Sequence, residues 1–385
     1  MSTRLAGNLA LAAGGLAVAL LLGEAGVRVF ARTGPALLVA DPVVGKRFRP
    51  GYSARTFVPE CACEVDLRFD REGLRGPDRP TAKPPGMRRL ALLGDSMIAS
   101  VATREELTLA DRLEGLLRED GSRWEVLNGG VSSSSTGTEL VLYREVLSHY
   151  GPDVVVLAFY GGNDLADNSA ELTWAARLYF ELDATGRLRA LPYRRPGAAL
   201  GAWLDRHSRF YVWQKAAVSR LLAVGRAARA DVDPGDLAFA RPEPPGVARA
   251  WALSAALVRA LRDETGARGA RLGVVAIPPA VAVYDDLWSD LAGRGRAAGL
   301  QLQRDAPGQR LEAICRDLAV PFLSLGADFA AAATHRDSRR PDERLFIEGR
   351  YHWNDRGNAV AAEAVFRFLR ASGLAAAEAG GSAGG

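Results

Sequence analysis

The sequence predicts an α/β protein, a three-layer α/β/α sandwich around a central parallel sheet, preceded by an N-terminal transmembrane helix. Three observations predict it. Short apolar runs without polar alternation recur along the chain, as strands buried on both faces do. Amphipathic stretches lie between them, the rhythm of strand–helix–strand crossovers. The N-terminus reads LALAAGGLAVALLLG from Leu9 to Gly23, with no charge.

In chain order, that apolar run reaches bilayer-spanning length once Leu5 to Gly7 and Val27 to Phe30 extend it. Glu24 and Arg28 stand at i and i+4, which suits helix continuation. A cleaved signal peptide is the rival reading, but the small-residue site near the end of the run is poor. Residues 1–32 are therefore read as an uncleaved anchor. Arg4 flanks one end and Arg28 with Arg32 the other, so charge specifies orientation only weakly. Residues 33–86 are rich in Pro, Gly and Arg and read as a connecting arm, with a strand-like stretch from Glu64 to Phe69.

The regular pattern begins at Met87 and defines a domain over 87–374. Strands are predicted at Arg89 to Leu93, Trp124 to Leu127, Val154 to Phe159, Leu272 to Ile277 and Val320 to Leu323. Helices are predicted near Leu107 to Leu117, Thr138 to Leu147, Ala248 to Asp263, Asp290 to Ala298, Gln309 to Asp317 and Asn358 to Arg370. An insertion near 170–245 interrupts the rhythm, with a hairpin from Tyr179 to Leu191 and a helix from Phe210 to Ala228. Residues 375–385 are mostly Ala, Gly and Ser and are expected to be a disordered tail.

Composition narrows the function. The 385 residues are 48% hydrophobic and 24% charged, with a formal net charge of +4. No basic stripe with interleaved aromatics exists, which argues against nucleic acid as a partner. Cys61, Cys63 and Cys315 form no C-x-x-C pair, so no zinc or thioredoxin-like centre is indicated. One residue separates Cys61 from Cys63, which strains a mutual disulfide; three free thiols are expected, with a bridge from one of the two to a distant cysteine as the alternative in an extracytoplasmic domain. No G-x-G-x-x-G follows the first strand and no P-loop is present, so no cofactor and no metal are expected.

Four short segments carry chemistry, the first three at strand ends, where an open α/β sheet places its ligands. Gly94-Asp95-Ser96-Met97 can lift the Ser96 hydroxyl onto the sheet edge as a nucleophile; alone, it reads more readily as a strand-ending turn in which Ser96 caps a helix. Asn128-Gly129-Gly130-Val131 lets a backbone N–H approach a ligand closely; alone, it reads as an ordinary loop glycine pair. Gly161-Gly162-Asn163-Asp164 offers an Asn side chain as an oxyanion donor, or a plain turn. His352-Trp353-Asn354 precedes the last helix; a lone histidine there reads as structural or solvated, and His352 gains a role as base only from the company of the other blocks.

The order of these blocks resembles the SGNH (GDSL-like) hydrolase family, in a membrane-anchored form. The run Arg71-Glu72-Gly73-Leu74-Arg75-Gly76 and the apolar N-terminus strengthen the likeness. The resemblance implies a flavodoxin-like fold and a serine esterase, with Ser96 as nucleophile and His352 as base. It implies an oxyanion hole from the N–H groups of Ser96 and Gly130 and the amide of Asn163. It implies an ester substrate, an O-acetyl group on a surface glycan being the leading reading, and an extracytoplasmic catalytic domain. An O-acetyltransferase and a degenerate glycan-binding domain are the alternatives. The family's orienting Asp, two or three residues before the histidine, is missing: Arg350 and Gly349 stand there. Glu348 is the candidate orienting acid, and a Ser–His dyad the alternative.

Overall fold

The computed structural model describes residues 3–31, 36–173, 177–191, 198–227, 232–348 and 351–376. Arg32, Gly349, Arg350 and residues 377–385 of the expected tail lie outside the described residues. The first half of the chain forms α1 (Thr3–Phe30), β1 (Leu38–Asp41), β2 (Gly45–Phe48), β3 (Ser53–Val58), β4 (Cys63–Arg68), β5 (Arg88–Gly94), α2 (Ser96–Ala99), α3 (Leu109–Arg118), β6 (Trp124–Gly130), α4 (Thr136–Glu145), β7 (Val154–Tyr160), α5 (Asp164–Asn168), β8 (Phe180–Leu182) and β9 (Leu188–Ala190). The second half forms α6 (Ala198–His207), α7 (Arg209–Ala227), α8 (Pro245–Ala267), β10 (Arg271–Ile277), α9 (Ala280–Val283), α10 (Asp285–Ala297), α11 (Ala306–Asp317), β11 (Phe322–Ser324), α12 (Gly326–Ala332) and α13 (Asp355–Ala371).

Five strands form one parallel sheet in the order β11-β10-β7-β5-β6. The apolar runs are continuous because both faces of the sheet are covered. Leu90, Leu92, Val154, Val156, Val275 and Ile277 face one layer, where Leu113 and Leu117 of α3 and Val365 and Leu369 of α13 meet them. Alternate residues point the other way, as the strand period requires. There Phe159 stacks on Trp251 of α8 with ring centroids 5.8 Å apart. The result is the three-layer α/β/α sandwich. Chain order runs outward in both directions from the β5–β7 pair, so the crevice at their C-terminal ends is a topological switch point, where such folds bind ligands.

The chain divides into two compact units, one of residues 1–40 with 194–230 and one of residues 41–193 with 231–385. This differs from the expected division. The arm from Asp41 onward belongs to the sheet unit because buried arginines fasten it there. Arg89 is fully buried, and its guanidinium donates to Glu125 at 2.8 Å and to the carbonyls of Pro80 at 2.7 Å and Thr81 at 2.8 Å. Arg75, also buried, donates to the Ala99 carbonyl at 2.6 Å. At the other end, Ala375, expected to open the tail, is fully buried in the sheet unit's core.

The smaller unit joins α1 to α6 and α7. Glu24 of α1 accepts from the Ser208 hydroxyl at 2.8 Å and from the backbone N–H groups of Arg209 and Phe210, each at 3.0 Å. Those N–H groups open α7 and have no acceptor within their own helix, so a carboxylate there both satisfies them and complements the helix dipole. The anticipated i,i+4 pair is also present, with Arg28 Nε 2.7 Å from Glu24. Within α1, Gly7–Phe30 is long and apolar enough to cross a membrane, with a mean hydropathy of 1.8 over its most apolar window.

Candidate active site

Three strand ends and one late loop meet at the switch point of the sheet unit. After β5, Asp95 caps α2 by accepting from the Met97 N–H at 2.8 Å, and Ser96 becomes the first residue of that helix. A first helical residue has no intrahelical acceptor for its N–H. Ser96 therefore offers a hydroxyl and a backbone donor side by side. Burial pushes the Asp95 carboxyl above its usual range, although the Met97 N–H, the charge of His352 and the Asn163 amide all pull it down.

His352 lies just before α13. Its position is set by its neighbours: Trp353 is buried against Phe329, ring centroids 5.4 Å apart, and Asn354 caps α13 by accepting from Gly357 N–H at 2.9 Å. The imidazole Nε2 stands 2.7 Å from Ser96 Oγ, across 256 residues of chain. Burial disfavours the charged ring. The hydrogen bond and charge of Glu60, with the charge of Asp95, outweigh that and hold the His352 pKa above the ordinary histidine value.

Asn163 is the third residue brought in, as the N-cap of α5 after β7. One N–H of its amide donates to Asp95 Oδ2 at 3.3 Å, which leaves the other for a ligand.

Gly130 stands at the expected strand end, with its N–H engaged inside the strand. It ends β6 in register with Gly94, and its N–H donates to the Asn128 side-chain oxygen at 3.0 Å. In this arrangement the N–H already has an acceptor. Its glycine identity has another cause: a Cβ there would lie 2.2 Å from the backbone nitrogen of Ala99. Gly130 is small so that α2 can pack directly against β6. Asn128 reinforces that contact by donating to the Ile98 carbonyl at 3.0 Å.

The orienting acid also differs. Glu348 is exposed and its carboxylate is taken by Arg344, at 2.7 and 3.0 Å. The carboxylate at the imidazole belongs to Glu60, whose Oε1 is 2.5 Å from His352 Nδ1. Glu60 sits in the turn between β3 and β4, a hairpin paired from Ser53↔Arg68 to Val58↔Cys63. Sequence reasoning missed it because no spacing rule links a turn residue to a histidine 292 positions away. Its neighbours gave a signal, a cysteine on each side of Ala62. Cys61 and Cys63 are disulfide-bonded, not free, and Cys315 alone is a buried thiol. The bridge forms because Ala62 takes a left-handed conformation, φ 50°, which turns both cysteines to one side with Cα atoms 5.1 Å apart. That spacing lies within the ordinary range for disulfides.

Solved structures similar to the chain include TesA, at 12% identity, covering 74% of this chain and 99% of that one, with a TM-score of 0.38. A GDSL-like lipase from Bacteroides thetaiotaomicron VPI-5482 matches at 9% identity over 74% of this chain and 89% of its own, TM-score 0.36. A catalytic mutant of Axe2, an acetylxylan esterase from Geobacillus stearothermophilus, matches at 13% identity over 73% and 94%, TM-score 0.38. No family model matches the chain, and no curated protein does. Among the described residues no group of His, Cys, Asp and Glu is arranged to hold a metal ion.

Proposed function

We propose that the chain is a serine esterase of SGNH type. The observation that carries this reading is the Ser96–His352 hydrogen bond of 2.7 Å at the open end of the sheet. In the first step Ser96 Oγ attacks the carbonyl carbon of an ester and its proton passes to His352 Nε2. The carbonyl electron pair moves to oxygen, where the Ser96 N–H and the free N–H of Asn163 stabilise the charge. Collapse of the tetrahedral intermediate expels the alcohol, which takes the proton from His352 and leaves Ser96 acylated. Water then repeats the cycle, activated by the same imidazole, and releases the acid. With Gly130 engaged by Asn128, this hole rests on two donors.

The family resemblance extends the proposal to its substrate and setting: an O-acetyl ester on a surface glycan, met by an enzyme that α1 anchors in a membrane. Labelling of the purified full chain with a fluorophosphonate, and hydrolysis of 4-nitrophenyl acetate, test the chemistry. Ser96→Ala should abolish both. Turnover that survives this substitution, in protein of unchanged fold, sinks the assignment. Adding an oligosaccharide acceptor distinguishes hydrolysis from acetyl transfer, since transfer yields acetylated glycan in place of free acetate.

A further inference from the structure

We infer that Glu60 is the positioning acid of the site, and that the Cys61–Cys63 disulfide holds it against His352, so that activity depends on the oxidised hairpin. The inference rests on the serine-esterase reading.

A serine–histidine pair works only if the ring presents an unprotonated Nε2 to the hydroxyl, which requires the proton on Nδ1. A carboxylate at Nδ1 fixes that tautomer, fixes the ring plane and stabilises the imidazolium formed during attack. Glu60 Oε1 stands 2.5 Å from Nδ1 while Nε2 faces Ser96 Oγ at 2.7 Å, so the three groups are in series. The other nearby acid, Glu348, is paired with Arg344. The charged groups acting on the imidazole are Glu60, from the β3–β4 turn, and Asp95, from the β5–α2 junction; both favour its protonated form.

Glu60 is delivered by a two-stranded hairpin, and two strands alone are marginal in water. Its turn carries one weak backbone bond, Ala62 N–H to the Pro59 carbonyl at 3.4 Å. The disulfide supplies what the hydrogen bonding does not: it closes a ring starting at the residue after Glu60 and ending on the first residue of β4. Reduction by a dithiol transfers two electrons and two protons to the cystine, giving two thiols while the dithiol closes to its own disulfide. The ring opens, Ala62 is released from its left-handed conformation and the Glu60 carboxylate loses its fixed place. Such a bridge persists in oxidising compartments and not in a reducing cytosol.

The experiment uses the full chain in detergent: wild type, Glu60→Gln, Glu60→Asp and the Cys61→Ser/Cys63→Ser double variant. The readouts are kcat and KM for 4-nitrophenyl acetate from pH 5 to 9, Ser96 labelling by a fluorophosphonate, and thermal unfolding as a check on the fold. Glu60→Gln should lower kcat by roughly 10²–10⁴-fold, as removing an orienting carboxylate does elsewhere, with KM little changed. The rising limb of its pH profile should move to lower pH, because a carboxylate that raises the imidazole pKa is gone. Glu60→Asp should recover part of the rate. The double serine variant, and wild type treated with dithiothreitol, should lose activity in the same direction, while dithiothreitol leaves the double variant unchanged. An unaltered kcat and pH limb in folded Glu60→Gln overturn the assignment of Glu60. Full activity of reduced wild type overturns the role of the disulfide. A wild type that neither labels nor turns over overturns instead the esterase reading on which both rest.

Discussion

Replacing Gly130 by Ala separates two explanations of why a glycine ends β6. Alanine keeps the backbone N–H, so a site that needs only that donor loses nothing. The packing explanation predicts a large effect. A Cβ on Gly130 would lie 2.2 Å from Ala99 N, 2.6 Å from the Ile98 carbonyl carbon and 2.9 Å from Ala99 Cα. Optimal heavy-atom contacts begin at about 3.5 Å, so α2 and β6 must part by about 1 Å. All three neighbours are backbone atoms, and no rotamer change relieves them. Overpacking of this kind costs about 1–3 kcal/mol of stability. The shift falls on α2, whose first residue holds its hydroxyl 2.7 Å from His352 Nε2. A misplacement of about 1 Å in reacting groups is worth on the order of 10²-fold in rate. Urea unfolding followed by circular dichroism, and kcat/KM on 4-nitrophenyl acetate, give both numbers. An unfolding midpoint and a rate equal to those of wild type would refute the packing argument.

Three further outcomes are expected. Asn163→Ala should cost about 3 kcal/mol of transition-state stabilisation, read as a fall in kcat; a change confined to KM argues against an oxyanion donor. Burial pushes the Glu139 carboxyl up to about 8, against the pull of its Ser134 hydrogen bond, with the charges of Asp95 and Asp167 adding to the rise. The unfolded chain ionises Glu139 near 4.5, so between that pH and about 8 the folded state binds the extra proton. Stability should therefore fall as pH rises through this window, by up to about 1.4 kcal/mol per pH unit, and Glu139→Gln should flatten the slope; parallel urea-stability curves for the two proteins contradict this. For the anchor, the intact mass of the mature chain should retain α1, and a mass that begins beyond Phe30 supports a removed leader instead.

The parts of the molecule legible in the sequence are those fixed by local pattern. Val154 to Phe159 read as a doubly buried strand because every residue is apolar, and β7 covers that run. The positions of Ser96, Asn163 and His352 beside strand ends and helix starts were legible because Gly, Asp and Asn mark such junctions. Where the outcome turned on direction and not spacing, the sequence was silent. Gly130 lies at the expected strand end, yet its N–H turns toward Asn128. Glu348 is near His352 in sequence, but Arg344 lies four residues before it and captures the carboxylate. Cys61 and Cys63 looked too close to pair because an extended chain would point them alike along one face; a left-handed Ala62 changes that geometry. For Glu60 the flanking cysteines marked a constrained turn, but where that turn docks is a tertiary fact with no local signature.

Glu24 carries a practical consequence. Judged from composition, α1 is the piece an experimenter would trim first to obtain a water-soluble protein. Yet its carboxylate closes the start of α7, so trimming strands the Ser208 hydroxyl and the Arg209 and Phe210 amides without their acceptor. A shortened chain should discard residues 194–230 together with α1, or retain both, because the two segments share one compact unit.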